Sequence, residues 1–231
     1  MPSMFNLLQT DPPRFFMVVV AVTISIVLHE LAHGWMAIRL GDDTPLRLGR
    51  MTGNPIVHMG PFSLIALCVA GIAWGQMPVD STRLRGRHAE SLVAAAGPAT
   101  NLLLALVTLT ALGLAARFAD PALFEEPSIG NGGGMMGNLI KLLFTFGTIN
   151  VLLCIFNLMP VPPLDGSRIL ASYHRGYATF IDDPTKQGFM IMAFCGMFML
   201  SQAIFAPFFK LAMAYATAIA GSPAFQELIY F

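Results

Sequence analysis

An apolar run near the start of the sequence contains three ionisable side chains, His29, Glu30 and His33. The run covers residues 14–40, and a helix of this length is long enough to cross a bilayer core about 30 Å thick with some tilt. An ionisable residue within such a helix costs about 2.5 to 3.5 kcal/mol on insertion scales, so these residues usually face a cavity and serve a function. The run therefore predicts a spanning helix that carries a functional site.

The spacing of the three residues indicates a metal site. On a helix, His29 and His33 lie four residues apart on one face, so both imidazoles can reach one zinc ion while Glu30 lies beside the open coordination position. The same pattern occurs by chance in soluble helices, where a histidine pair is simply hydrogen-bonded within the core. In an apolar span we favour the metal site, because a buried ionisable group needs a compensating interaction. Glu30 is then the general base of a hydrolytic reaction.

Asp165 is the best candidate for a third zinc ligand, because a hydrolytic zinc needs three protein ligands and one water. It follows an apolar helix, lies in a proline-rich turn that fixes the backbone direction, and precedes Gly166, which permits a sharp exit. Proline, aspartate and glycine are also the usual residues of an ordinary turn, so the turn by itself indicates no function. The assignment of Asp165 therefore depends on its pairing with the two histidines, and the three residues together predict one Zn²⁺ ion.

Two asparagines occupy apolar helix positions, Asn101 and Asn157. Either amide can donate to a developing oxyanion, which makes both candidates for substrate positioning. For Asn101 an interhelical hydrogen bond is an equally good interpretation, because the small residues before it allow close helix packing. Three other histidines lie in polar connections, where we expect them to be solvated or interfacial and give them no role: His58, His88 and His174.

The composition is typical of an integral membrane protein. Of 231 residues, 55% are hydrophobic and 11% are charged, whereas a soluble domain carries about 25% charged residues; the mean hydropathy is +0.67. Basic and acidic residues balance at 13 each, so the net charge indicates no nucleic-acid partner. Because no polar stretch is long enough for a second domain, we expect one membrane-embedded domain over residues 1–231, with the lipid bilayer as its surroundings.

We expect an α-helical polytopic membrane protein with a three-helix catalytic core. The predicted segments are core helices at about 14–40, 91–117 and 138–159, a short apolar element at 60–77, and one or two C-terminal helices within 187–221, where Pro207 interrupts the apolar region.

The distribution of arginine predicts the orientation of these helices. Short cytoplasmic loops are enriched in Lys and Arg, and the connections at 41–59, 78–90 and 166–186 carry arginine, whereas the N-terminal tail and the 118–137 connection do not. If the first two connections are both cytoplasmic, residues 60–77 enter the membrane and return without crossing it. The alternative is a short true span. The first interpretation places the site near the cytoplasmic ends of two helices.

Three motifs resemble the signature motifs of the site-2 protease family of intramembrane zinc metalloproteases. They are HELAH at 29–33, AGPATN at 96–101 and NLMPVPPLDG at 157–166. Two further stretches, GDDT at 41–44 and GRMTGNP at 49–55, resemble the small members of that family that lack a PDZ domain. The likeness covers residues 15–175.

This resemblance implies zinc bound by His29, His33 and Asp165, with Glu30 as the catalytic base. It also implies cleavage of transmembrane segments near the cytoplasmic side, in a multi-pass protein of a prokaryotic cell membrane. In that family the region after the first core helix contributes membrane-associated β structure, so residues 60–77 would offer an edge to an unfolded substrate strand.

The leading hypothesis is therefore intramembrane proteolysis, with a membrane protein as substrate. A second hypothesis is a non-catalytic membrane protein that binds or transfers zinc, and a third, weaker one is a hydrolase of small lipidic substrates. Glu30 distinguishes the first two, because a carrier needs no base beside the open coordination position. The sequence leaves the substrate, the regulation and the oligomeric state open.

Overall fold

A computed structural model describes residues 4–118 and 135–221, excluding the side chains of residues 135, 136, 201 and 202. The described residues form ten α-helices: α1 Met4–Thr10, α2 Pro12–Arg39, α3 Thr44–Arg47, α4 Pro55–Ala70, α5 Ala89–Phe118, α6 Met135–Asn157, α7 Asp165–Tyr173, α8 Arg175–Asp182, α9 Gln187–Met199 and α10 Ser201–Ala220. Short 3₁₀ turns lie at Ser81–Arg83 and Pro184–Lys186. Most of the predicted 118–137 connection falls outside the described residues.

Four helical segments are long and apolar enough to cross a membrane. They are Pro12–Arg39, Ala89–Phe118, Gly137–Asn157 and Ala203–Ala220. The first three correspond to the core helices predicted at 14–40, 91–117 and 138–159, with ends that differ by a few residues. Asp11 caps α2, because its side chain accepts the backbone N–H of Arg14 at 3.1 Å. The prolines at the first positions of α2 lose no hydrogen bond, since the N–H groups there have no partner within the helix. The chain is thus a helical polytopic membrane protein.

Helices α2, α5 and α6 pack against one another, and α10 packs against the C-terminal part of α5 and the N-terminal part of α6. The contact with α10 is apolar and includes Leu109, Leu112, Ile140 and Ala216. A second apolar cluster, formed by Ile26, Met59 and Leu67, packs against one side of α2. Four polar side chains of the same helix are also buried: Ser25, His29, Glu30 and His33. Buried polar side chains thus lie on the core helices α2, α5 and α6, and also beside them at Asp42, His58 and Ser63.

Residues 60–77 do not form the predicted β element. Helix α4 is interrupted at Gly60, whose φ of 69° lies in the left-handed region, and the ten residues after it rise about 15 Å, half of a bilayer core. The chain then continues as an extended segment, residues 72–80, that contains neither helix nor strand. No strand occurs anywhere in residues 4–118 and 135–221.

The extended segment pairs with side-chain and backbone groups of α4 rather than with another strand. Ser63 Oγ accepts the N–H of Trp74 at 2.9 Å and donates to its carbonyl oxygen at 2.7 Å. The N–H of Gln76 donates to the carbonyl oxygen of His58 at 3.0 Å. Because a helix satisfies these groups, the β ladder expected here does not form within the described chain.

The C-terminal apolar region is interrupted at Leu200 and not at Pro207. Helix α9 has 13 residues, too few to cross a bilayer core, whereas α10 contains a candidate span. Pro207 lies inside α10. A proline inside a helix removes one backbone hydrogen bond. Ending the helix in lipid would leave more backbone groups without a partner, because no water is available there, so the helix continues through Pro207.

Candidate active site

Helix α2 presents two adjacent rows of side chains to the interior. Ser25, His29 and His33 recur every four residues and face α5 and α6, while Ile26 and Glu30 form the neighbouring row and face the extended segment. Residues four apart lie one above the other on a helix, so this arrangement follows directly from the helical period. The two histidines and the glutamate thus contact different parts of the protein.

The structure brings His29, His33 and Asp165 together. His29 Nε2 lies 2.9 Å from His33 Nε2 and 3.1 Å from Asp165 Oδ2, and His33 Nε2 lies 3.3 Å from the same oxygen. The two rings meet edge to face, with centroids 4.6 Å apart. Both histidines are 7% exposed. One ligand atom from each residue therefore points toward a common space, as expected of a metal site.

Two observations test whether this group fits zinc. Asp165 Oδ2 is buried, and apart from Nε2 of His29 and of His33, the two other candidate ligand atoms, it has no hydrogen-bond partner. A Cβ at Gly97 would lie 2.5 Å from His29 Nε2 and closer still to His33 Nε2, so the absent side chain leaves space beside both nitrogens. Two imidazoles and one carboxylate are a usual ligand set of a catalytic zinc with one open position. The residues present therefore fit zinc.

Asp165 reaches this position because the chain after α6 folds back against it. It is the first residue of α7, where the helix N-terminus favours a carboxylate. Burial opposes ionisation, but the neighbouring His29 and His33 outweigh it and lower the pKa of Asp165 to about 2. An ionised carboxylate is the form that binds a metal.

Gly166 is required for a different reason from the predicted one. It does not adopt a left-handed conformation, but a Cβ there would lie 2.5 Å from the carbonyl oxygen of Met159 and closer to that of Leu158. The absent side chain thus allows the start of α7 to pack directly on the backbone at the end of α6. This close approach holds Asp165 at the depth of the histidines.

The far ring nitrogens of both histidines are hydrogen-bonded to α5. His33 Nδ1 donates to the carbonyl oxygen of Val93 at 2.7 Å. His29 Nδ1 lies 2.5 Å from Asn101 Oδ1, and Asn101 is fully buried. Such partners fix ring orientation and leave Nε2 bare for a metal. Asn101, predicted as an oxyanion donor or an interhelical contact, thus makes an interhelical hydrogen bond to a candidate ligand.

Asn101 is also linked to the third core helix. Its Nδ2 donates to Asn150 Oδ1 at 2.8 Å, and Asn150 Nδ2 in turn donates to Ser25 Oγ at 2.8 Å and to the carbonyl oxygen of Phe146 at 2.9 Å. Sequence reasoning missed Asn150 and Ser25. Asn150 is a polar residue in an apolar span, the same signal that identified Asn101, and Ser25 lies one turn before His29.

Asn157 is not part of this network. Its Nδ2 donates to the carbonyl oxygen of Leu153, on its own helix, at 3.0 Å. The side chain is partly exposed. Its predicted role at the oxyanion stays a prediction.

Glu30 lies beneath the extended segment. A Cβ at Gly75 would lie 2.7 Å from Glu30 Cγ and from Ile26 Cγ2, and closer still to Glu30 Oε1, so the segment crosses directly over the carboxylate. Glu30 itself is 7% exposed. The far end of the segment is held by the fully buried Asp42, which accepts the N–H of Asp80 at 2.8 Å.

His58 is buried, so the prediction that it is solvated is wrong. It is 2% exposed, because α4 and the extended segment fold back over α2. Its Nε2 donates to the carbonyl oxygen of Thr52 at 2.7 Å, and its Nδ1 has no hydrogen-bond partner. The ring is close enough to Glu30 to interact with its carboxylate electrostatically. Of the other two, His88 is partly buried and stacks on Tyr173, whereas His174 is exposed.

Comparison with known proteins agrees with this geometry. The model of peptidase family M50 matches residues 17–201, which include all three motifs. The chain belongs to peptidase family M50, the site-2 protease family. The resemblance found in the motifs is thereby confirmed, and the family is one of metalloproteases associated with zinc.

Several similar proteins in this family come from bacteria. The Bacillus subtilis protein named "Putative zinc metalloprotease YwhC" is 36% identical over 154 residues, 66% of this chain and 66% of its own length. Proteins named "Putative zinc metalloprotease Rip2" are 31% identical in Mycolicibacterium smegmatis, over 77% of the chain and 65% of the relative, and 29% identical in Mycobacterium tuberculosis, over 75% and 63%. The matched regions therefore cover slightly less than two thirds of these M50 relatives. No solved structure matches the chain.

Proposed function

We propose that this M50 protein is an intramembrane zinc endopeptidase that hydrolyses peptide bonds in transmembrane segments of other membrane proteins. The observation that carries the proposal is the convergence of three candidate ligand atoms beside a buried Glu30. His29, His33 and Glu30 lie on a helix long enough to span a bilayer, and Asp165 lies on the short helix α7. A buried ionisable cluster in an apolar span is costly unless it serves a function. Family membership supports the same reaction class.

In the proposed mechanism His29, His33 and Asp165 would hold one Zn²⁺ ion. When bound, zinc supplies Lewis acidity, which polarises a carbonyl group and makes water more acidic. Glu30 accepts the proton of the attacking water on its carboxylate and donates it to the nitrogen of the leaving amine, so no covalent intermediate with the protein is needed. We propose that Asn157 donates an N–H to the developing oxyanion, as the sequence predicts.

We further propose that the site opens toward the cytoplasm. The connections at 41–59, 78–90 and 166–186 carry arginine, as cytoplasmic loops do. His33 lies six residues before the end of α2 at Arg39, a rise of about 9 Å, so the site is nearer to that end of the membrane. Labelling of single cysteines in 41–59 and 78–90 with a membrane-impermeant reagent should occur from the cytoplasmic side for both loops; reaction from opposite sides would contradict this orientation.

The decisive experiment pairs metal analysis with cleavage of a membrane-spanning test substrate by the purified protein. Glu30→Gln should retain zinc and lose cleavage by a factor of about 10² to 10⁴, the usual contribution of a general base. Asp165→Ala should lose zinc affinity together with cleavage. Glu90→Gln, at an exposed position of α5, is the matched control and should change neither.

Two outcomes would count against proteolysis. A zinc-loaded protein that cleaves no membrane-spanning substrate but moves zinc across vesicles would support the zinc-transfer function instead. Products without a cut peptide bond, identified by mass spectrometry, would support a hydrolase of lipidic substrates.

A further inference from the structure

We propose that Asn150 is a positioning residue that fixes the proton of His29 on Nδ1, acting through Asn101. The inference deepens the proposed function, because it rests on zinc binding by His29. It concerns a residue outside the three family motifs, on a different helix from the histidine it controls. Its basis is the direction of a chain of hydrogen bonds that ends on a backbone carbonyl.

The direction of the chain is set at its far end. The carbonyl oxygen of Phe146 can only accept, so the Asn150 atom 2.9 Å from it must be the donor, Nδ2. Asn150 Oδ1 therefore faces Asn101 and accepts from its Nδ2 at 2.8 Å. The other end of the Asn101 amide, Oδ1, must then face His29. Because this oxygen only accepts, Nδ1 of His29 carries the proton and Nε2 is bare.

Burial makes this direction hard to reverse. Ser25, Asn101 and Asn150 each expose none of their surface, and they lie between spanning helices. Rotating the Asn150 amide by half a turn would place its oxygen against the oxygen of Phe146, and no water is present in a bilayer core to relieve that contact. Donors and acceptors in such a network are satisfied together or not at all.

The two histidines are thus oriented by carbonyls on different helices. Val93 of α5 accepts directly from His33, whereas Phe146 of α6 acts on His29 through two amides. Without Asn150, the Asn101 amide is free to turn and donate to His29 Nδ1. The proton of the ring would then lie on Nε2, the atom that faces Asp165 and must be bare to bind a metal.

The test compares zinc affinities by competition with a chelator. In Asn150→Ser the hydroxyl can bond the carbonyl one turn earlier but is too short to reach Asn101, so zinc binding should weaken about 10- to 100-fold, as is typical for a lost partner of a ligand. Thr148→Val is the matched control. Thr148 is buried two residues away in α6 and bonds only the carbonyl of Phe144, at 2.7 Å, so its affinity should stay within about twofold of the parent.

A conservative variant tests the same inference from the opposite direction. In Asn150→Asp the protonated acid can donate its O–H to the carbonyl of Phe146 and accept from Asn101 with its other oxygen, so the direction of the chain is preserved and zinc affinity should remain near that of the parent. A loss of affinity in Asn150→Asp, at an unfolding temperature of the metal-free protein equal to that of the parent, would overturn the inference.

A double-mutant cycle separates positioning from general loosening of the packing. If Asn150 acts through Asn101, then Asn150→Ser should cause no further loss of zinc affinity in an Asn101→Ala background. Additive losses would overturn the inference, because independent structural effects add. If Asn150→Ser binds zinc as tightly as the parent, the inference is wrong but the proposed function stands. If the parent protein itself binds no zinc, the proposed function is wrong as well.

Discussion

The substitution Gly97→Ala adds one methyl group beside the candidate ligands. The new Cβ would lie 2.5 Å from His29 Nε2 and closer to His33 Nε2. Non-bonded heavy atoms are comfortable only at about 3.5 Å or more, so the rings must move by about 1 Å. Zinc–nitrogen bonds tolerate deviations of about 0.2 Å. We therefore expect the substitution to break the ligand set.

The two rings have little freedom to make room and keep their hydrogen bonds. A shift of 1 Å would stretch the bond from His33 Nδ1 to Val93, now 2.7 Å, and the contact of His29 Nδ1 with Asn101, now 2.5 Å. Losing one ligand should weaken zinc binding by at least about 100-fold, equivalent to about 2.7 kcal/mol. At a fixed zinc concentration the stabilisation by zinc falls by the same amount.

The metal-free protein should be much less affected than the zinc-bound one. Overpacking costs about 1 to 3 kcal/mol, but replacing glycine by alanine inside a helix recovers about 1 kcal/mol. The net change in the free energy of unfolding without zinc is then a loss of about 0 to 2 kcal/mol. Unfolding temperatures measured with and without zinc separate the two effects.

The control is Gly196→Ala in α9, where nothing lies within 4 Å of the added Cβ. It should match or slightly exceed the parent in stability and bind zinc equally. Parent-like zinc affinity in Gly97→Ala would refute the reasoning, since the methyl group would then fit without displacing the rings.

Three further substitutions test other parts of the site. Gly75→Ala should push the Glu30 side chain aside and lower kcat with zinc content unchanged, measured by cleavage and metal analysis. Gly166→Ala meets backbone atoms that cannot move aside, so it should lower both the unfolding temperature and zinc affinity, by about 1 to 3 kcal/mol of stability. Burial opposes ionisation of Asp42, but hydrogen bonds from neighbouring groups, including the N–H of Asp80, outweigh it and hold its pKa below the usual 3.8. Because the folded pKa is the lower one, this stabilisation is complete above pH 3.8 and is lost as the pH falls through the folded value, so Asp42→Asn should flatten that acid limb of the unfolding temperature.

The glycine substitutions have matched controls in open positions. At Gly53 and Gly188 nothing lies within 4 Å of an added Cβ, so Gly53→Ala and Gly188→Ala should leave zinc content and cleavage as in the parent. Loss of zinc in Gly75→Ala would contradict the view that the extended segment contacts the base and not the ligands. An Asp42→Asn protein with an unchanged acid limb would show that Asp42 makes no such contribution.

The parts of the site that sequence could predict are those that a single helix or turn determines. The spacing of His29 and His33 places both rings on one face by the helical period alone. Contacts between helices are different, because they depend on which rows of two helices face each other. Asn150 and Ser25 give only the weak signal of a polar residue in an apolar span, and nothing in the order of residues shows that Asn150 faces Asn101.

The region after α2 was predicted least well for a related reason. The sequence of residues 60–77 is apolar and short, and it led us to expect a re-entrant or membrane-associated β element, with a short span as the alternative. The structure selects a helix and an extended segment, because Ser63 and the carbonyl of His58 satisfy backbone groups that a strand would have satisfied. His58 becomes buried through that same fold-back, which a reading of local polarity cannot reveal.

Three glycines set the geometry of the site from three different elements. Gly97 of α5 lies against the histidines, Gly75 of the extended segment lies against the base, and Gly166 of α7 packs on the end of α6 beneath the third candidate ligand. Polar groups in a bilayer core must be enclosed by protein, since lipid cannot satisfy them. The backbone can pack directly against these polar side chains only where the residue has no Cβ, that is, at a glycine. The effects of a methyl group at the three positions should therefore differ in kind, affecting the metal, the base and the fold of the third ligand respectively.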